Sequence, residues 1–341
     1  RLSNIGNESK LSNFILKLGI LFNLGLLFIF KYFDFFSLNL SFLGLNIPKL
    51  DLILPIGISF YTFQQIGFLV DSFKGKSNKG NLFEYATFVS FFPQLIAGPI
   101  VHHEQFIEQI KPKKYNPINY SYISTGIIIF IFGLFKKVVV ADELALRVVE
   151  PFYKIISSGD LTSAPVAWIS TISYSMQIYF DFSAYSEMAI GLGLLFGITL
   201  PVNFDSPFQA NSLIDYWNRW NITLSNFIGD YVYFPLFKKF ASGSKNIFQE
   251  HLKAIICAMT ITGFWHGANW NCLLFGFIHG IGLSINHIYK AKKIKIKIPP
   301  LFLRISLLVF INLTFVIFKS INLNQIKLVI YSMIPFKNNL L

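Results

Sequence analysis

The sequence predicts an all-α fold, a polytopic bundle of membrane-spanning helices, on three observations. Hydrophobic residues make up 53% of the 341 positions and charged residues 13%, about half the charged share of a soluble globular protein. The apolar residues fall in long runs free of Asp, Glu, Lys and Arg. The basic residues gather in short clusters at the ends of those runs.

Composition excludes most alternatives. A soluble body of this size needs a charged skin, and 29 basic plus 17 acidic side chains, clustered as they are, do not supply one. A mean hydropathy of +0.54, with 39 Phe and 15 Tyr, agrees. Between Lys253 and Lys290 lie 36 uncharged residues, room for nearly two crossings at about 20 residues each. Further runs cover residues 52–70, 85–103, 118–135, 161–180 and 188–204, with shorter ones at 18–30 and 305–318. Together they predict roughly eight to ten membrane segments, some re-entrant, in one domain over residues 1–341. A transmembrane barrel is excluded because the runs do not alternate.

A net charge of +12 suggests a nucleic-acid binder only if the basic residues form a patch. They sit instead at the ends of apolar runs: Lys74, Lys76 and Lys79; Lys111, Lys113 and Lys114; Lys136 and Lys137; Lys238 and Lys239; and Lys290, Lys292, Lys293, Lys295 and Lys297. That is the positive-inside pattern, so the clusters mark cytoplasmic ends. The partner is membrane lipid and not nucleic acid. Residues 83–101 carry such clusters on both sides, and Pro93, Gly98 and Pro99 would break a straight helix there, which predicts a segment that dips in and returns.

Soluble-enzyme signatures are missing. Gly75, Lys76 and Ser77 resemble the end of a phosphate loop, but Val70 stands where its first glycine belongs. There is no G-x-S-x-G elbow and no H-E-x-x-H. Cys257 and Cys272 lie in apolar surroundings and read as buried small hydrophobes; no metal site is expected. Gly193 with Gly197, and Gly276 with Gly280, have the spacing of close helix packing.

Polar residues at membrane depth are costly and point to function. Three stretches hold them. In residues 179–191, Asp181 and Tyr185 are four apart and share a helix face; Asp181 either lines a cavity or caps a helix at a junction. In residues 203–237, Asp215 and Arg219 form an acid-then-base pair, Asp230 lies among Tyr231 and Tyr233, and Trp217, Asn221, Leu224 and Ile228 share a face that turns Asn221 inward. The bland reading there is a helix lying in the headgroup plane. In residues 260–279, His266 lies in the longest uncharged run beside Trp265 and Asn269. Trp270, four residues on, is expected to stack over the imidazole. His279, thirteen residues on, is expected on the opposite side of a single straight helix. A neutral imidazole at position 266 can accept a proton from a hydroxyl, help that contributes about 10² to 10⁴-fold. With no nucleophilic Ser or Cys constellation, direct acyl transfer is favoured over a covalent intermediate.

Five stretches carry a resemblance: GISFYTFQQIGFLVD (57–71), FFPQLIAGPI (91–100), YFDFSAYSEMAIGLGLLFGI (179–198), NFDSPFQANSLIDYWNRWNITLSNFIGDYVYFPL (203–236) and GFWHGANWNCLLFGFIHG (263–280). In this order they resemble the membrane-bound O-acyltransferases, and within that family the bacterial group of alginate O-acetylation and teichoic acid D-alanyl transfer proteins. The resemblance implies a ring of helices around a tunnel in the cytoplasmic membrane. It also implies transfer of an acyl group, with acetyl favoured, from a cytoplasmic thioester (acetyl-CoA or an acyl carrier protein) to a hydroxyl of an envelope polymer. No bound cofactor is implied. Extracytoplasmic acetylation proteins are implied as further partners. The family's invariant histidine matches His266. Its second histidine, in Trp-x-Arg-Trp-His, is Asn221 here, after Trp217, Arg219 and Trp220. Asn cannot titrate, so the resemblance implies reduced activity. His266 and Asn221 are then the expected catalytic positions, and Trp217, Arg219, Trp220, Asp230, Trp265, Asn269, Trp270 and Asp181 the substrate-binding ones. Members run longer at both ends, which implies an internal portion. The competing reading is a transporter or a degenerate relative, although no internal repeat is visible.

Overall fold

A computed structural model describes residues 10–76, 81–95, 98–111, 119–293 and 298–335. The described residues are overwhelmingly helical, and their one antiparallel bridge joins Phe204 to Trp220. Among the described residues four stretches are long and apolar enough to cross a membrane: Lys10–Ser41, Tyr120–Ser157, Trp270–Ala291 and Pro300–Lys319. They hold the charge-free runs at 18–30, 118–135 and 305–318 and the second half of the one after Lys253, which supports the helical membrane bundle. Lys79, Lys113, Lys114, Lys295 and Lys297, and Ser77 of the phosphate-loop likeness, lie outside the described residues.

The chain divides into two compact units. The first comprises Arg1–Ile131 with Ser186–Val202. Within it Lys10–Leu27 (α1) packs on Ile58–Phe73 (α2), so closely at Gly19 that a Cβ would lie 2.9 Å from Leu69. Residues 83–101 are broken as Pro93 predicted: Leu82–Ser90 (α3) ends, and a single turn, Phe92–Leu95, follows. Asn81 starts α3 by accepting from the Glu84 N–H while the Glu84 carboxylate accepts from the Asn81 N–H, a reciprocal cap. Phe88, Val101, Phe106 and Ile107 form its core with Ala189 and Ile198, and His103 lies against Phe68 and Phe88.

The second unit comprises Phe132–Tyr185 with Asn203–Leu341. Its core joins Val149, Phe152 and Ile156 to Tyr216, Trp220, Phe275, Ile311, Phe315 and Val329. Ala164–Leu195 (α4) lends its first two-thirds to this unit. Polar side chains tie α4 to Pro300–Lys319 (α5): Ser175 donates to Asn312 Oδ1 at 2.8 Å, and Asn312 Nδ2 donates to Thr171 Oγ1 at 3.1 Å. Away from water such bonds add about 0.6 kcal/mol each on average.

Two expectations about helix ends are corrected. Lys136 and Lys137 close an apolar run but no helix, because π-helical turns at Lys136–Ala141 and Ala145–Val149 carry the helix on. Lys137 is accommodated there by Asp142 and Asp181, each at 2.7 Å. Gly197 takes φ +73° at the end of α4 and is a chain reversal, so only Gly193 of that pair packs.

Candidate functional site

The long uncharged run folds as a hairpin. Ile247–His266 (α6) and Trp270–Ala291 (α7) are two helices, and the chain breaks across Gly267, Ala268 and Asn269. Asn269 makes the break: its Oδ1 accepts from the Cys272 N–H at 2.7 Å and caps α7. Gly267 has extended backbone that any residue adopts, but a Cβ there would lie 2.9 Å from both Asn269 Nδ2 and Cys272 Sγ. The two arms touch backbone to backbone where Gly263 meets Gly276. A Cβ on Gly276 would collide with the Met259 carbonyl, so the small-residue spacing at 276 and 280 is a packing device.

This break overturns two expectations about His266. Trp270 is not one turn above it on a continuous helix; it opens α7 and is 57% exposed. His279 is on the second arm, where neighbouring Gly280 packs on Ile256 and Met259, so it lies about two to three turns down α6 from His266 with Phe275 between the two rings. The partly exposed His266 ring lies 5.5 Å from Phe318 and 6.5 Å from Phe275, and Phe275 lies 4.4 Å from His279 on its other side. Trp265 is buried beside His266 at 4.9 Å.

His279 has a fixed role. It is 1% exposed, and the Trp217 Nε1–H donates to its Nδ1 at 3.2 Å. Indole nitrogen only donates, so Nδ1 is the acceptor and the proton sits on Nε2, 3.0 Å from Thr314 Oγ1. The Thr314 hydroxyl in turn donates a hydrogen bond to the Ile311 carbonyl at 2.9 Å. Both ring nitrogens are used, which makes His279 a brace, whereas His266 at the corner is partly exposed.

Residues 203–233 do not form one inward helix face. Leu213–Trp217 (α8) and Ile222–Ile228 (α9) are separate, because Asn221 takes φ +45° between them, a left-handed position where Asn and His are enriched. Asn221 is buried all the same. Two backbone bonds hold this corner to residues 203–205: Asp205 N–H to Arg219 O at 3.0 Å and Ile222 N–H to Asn203 O at 2.9 Å. The Asn203 side chain, 1% exposed, accepts from the Thr223 N–H and hydroxyl. Arg219 bonds to Asp215 at 2.8 Å and approaches Asp205 at 3.6 Å, and the hydrogen bond to Asp215 raises its pKa above the ordinary arginine value. Trp220 is enclosed by Tyr179, Phe204, Phe208, Tyr216 and Phe315. Asp230 is exposed in a π-helical turn. Asp181 shares a face of α4 with Tyr185 as expected, caps nothing, and pairs with Lys137.

A cavity of about 310 Å³ runs between these elements, with Trp217, Asn218, Leu224 and Ser225 on one side and Ile255, Ala258, Met259 and Thr262 of α6 on the other. Thr262 is one turn before His266 on the same helix face. At the far end Tyr233 Oη lies 2.6 Å from His251 Nδ1, and His251 Nε2 lies 3.2 Å from His287 Nδ1. Eleven residues, or about 16 Å of helix, separate His251 from Thr262. The sequence reading missed Tyr233, His251 and His287 as lining residues. Their signal is legible once the hairpin is known, because His251 and His287 stand about equally far from its turn and so face each other. No group of His, Cys, Asp and Glu among the described residues is placed to hold a metal.

Helices that cross a membrane several times, with a histidine at a Trp-His-Gly corner one turn beyond a largely apolar cavity, define a class of multi-pass membrane protein. The chain belongs to the membrane-bound O-acyltransferase family, whose model matches residues 61–325. It is 40% identical to a peptidoglycan O-acetyltransferase of Helicobacter pylori, over 93% of this chain and 64% of that protein. It is 34% identical to a probable alginate O-acetylase of Azotobacter vinelandii, over 95% and 63%. It is 30% identical to a teichoic acid D-alanyltransferase of Streptococcus thermophilus, over 70% and 58%. The chain thus spans less than two-thirds of the length of these relatives.

Proposed function

We propose that this chain is the core of a cytoplasmic-membrane acyltransferase that moves a small acyl group, acetyl in preference to others, from a thioester to a hydroxyl of an envelope polysaccharide. The support is the family membership together with relatives named for O-acetylation of peptidoglycan and of alginate. The observation that carries the chemical assignment is the partly exposed His266 ring at the hairpin corner, with Phe275 between it and a His279 whose two nitrogens are already occupied.

The hydroxyl oxygen attacks the thioester carbonyl while His266 takes its proton; the C–O bond forms, the C–S bond breaks, and the imidazolium returns the proton to the departing sulfur. The donor is a soluble thioester, acetyl-CoA or an acyl carrier protein, arriving at the lysine-rich face. Extracytoplasmic proteins continue the modification. Trp265, Asn269 and Trp270 shape the corner, and Trp217 forms one wall of the cavity. Arg219 and Trp220 act through the Asn221 corner. Asn221 positions and does not titrate, in line with Asn and His both fitting its left-handed backbone. In purified membranes His266→Ala is expected to lower acyl transfer about 10² to 10⁴-fold; unchanged transfer would remove the proposed base.

A further inference from the structure

A second cavity, of about 530 Å³, lies between α7, α5 and the Asn211–Ile214 segment that opens α8, away from the acyl-transfer corner. Both helices are long and apolar enough to span a membrane, so a groove between them faces lipid. Ile285, Leu303 and Phe310 give it an apolar body, with Ser306 on its wall, and Tyr289 and Lys290 stand at one end. Gly282 seals the other end: a Cβ there would lie 2.7 Å from Leu213 and 3.2 Å from Phe310, so these side chains close over it. From Gly282 to Lys290 the groove runs about 12 Å along α7, close to the roughly 15 Å of hydrocarbon in one leaflet.

The open end is cationic. Lys290, Lys292 and Lys293 are exposed there, and no acidic side chain lines the cavity. Arg304, next in sequence to the lining Leu303, has its Nε–H buried without an acceptor among the described residues. By the positive-inside rule this end meets the cytoplasmic leaflet, which carries anionic lipid. The geometry points to a binding site for one anionic phospholipid, its acyl chain in the groove and its phosphate at Lys290 and Arg304.

The test uses the full chain in detergent, with native mass spectrometry titrations of dioleoylphosphatidylglycerol, dioleoylphosphatidylcholine and glycerol 3-phosphate. Phosphatidylglycerol is expected to bind at least tenfold tighter than phosphatidylcholine. Lys290→Gln, alone or with Arg304→Gln, removes that preference; Ser306→Trp, which fills the groove and leaves the cations, weakens both lipids. Thermal unfolding without lipid identifies any variant that fails to fold, and exposed Lys290→Gln serves if Arg304→Gln does. Equal affinity for the two lipids, phosphatidylglycerol binding unchanged in Lys290→Gln and Ser306→Trp, or glycerol 3-phosphate binding as tightly as the lipid would overturn the assignment.

Discussion

Replacing Trp217 with Phe keeps an aromatic ring against His279 and removes one proton donor. His279 is then left with two tautomers, and neither is satisfied. With the proton on Nε2, Nδ1 is a buried acceptor without a donor. With the proton on Nδ1, Thr314 must turn its hydroxyl from the Ile311 carbonyl to Nε2, and Nδ1–H has no acceptor. An unmet buried polar group costs about 1–3 kcal/mol, whereas bonds between membrane helices average about 0.6 kcal/mol because the separated helices also find partners. His279 is 1% exposed, which puts the cost above the inter-helix average, and we expect a loss of about 1–2 kcal/mol. Reversible unfolding in mixed micelles measures it, repeated in a His279→Leu background where the bond is already gone. Trp217→Phe should then cost distinctly less. Equal cost in both backgrounds, within the roughly 0.3–0.5 kcal/mol expected of independent sites, would refute the brace.

Asn221→His restores the titratable side chain that the family motif carries, and φ +45° accepts it; turnover should rise with unchanged folding, and no change in an acyl-transfer assay would mean the position only packs. Lys137→Met leaves Asp142 and Asp181 without their shared cation and should destabilise by on the order of 1 kcal/mol, given their partial exposure; adding Asp181→Asn should recover part of it in a thermal melt. Burial lowers the pKa of His103 below its ordinary 6.5, with Glu84 opposing. The unfolded chain therefore takes up this proton first on acidification, so stability is full above about pH 6.5 and declines below it. His103→Gln should flatten that decline in melts between pH 7 and 5, and an unchanged slope would assign it elsewhere.

The membrane class was legible because bilayer hydrocarbon demands long uncharged runs, and these survive in the sequence as a one-dimensional signal. The three-residue corner after His266 was not, because a break of that length hardly alters hydropathy; only the Asn269 cap announces it. Missing it displaced Trp270 and His279 together. The residues at 213–228 read as one helix face because their spacing is helical, while the corner at Asn221 depends on backbone bonds to Asn203 and Asp205, far away in sequence. Lys137 looked like a run end since its compensation, Asp181, lies on another helix. The stretches that meet around the corner were readable, but the pairings within them were not.

The glycine after His266 is a clearance and not a hinge, since its backbone is ordinary and its missing side chain only makes room for Asn269 and Cys272. The corner is therefore stiff, and the imidazole has little latitude to follow a differently shaped reactant. Enzymes sharing this corner must do their selecting in the surrounding walls. Swapping cavity-facing positions such as Leu224, Ser225 and Met259 is the route by which one scaffold would come to serve donors of different bulk without rebuilding its reactive centre.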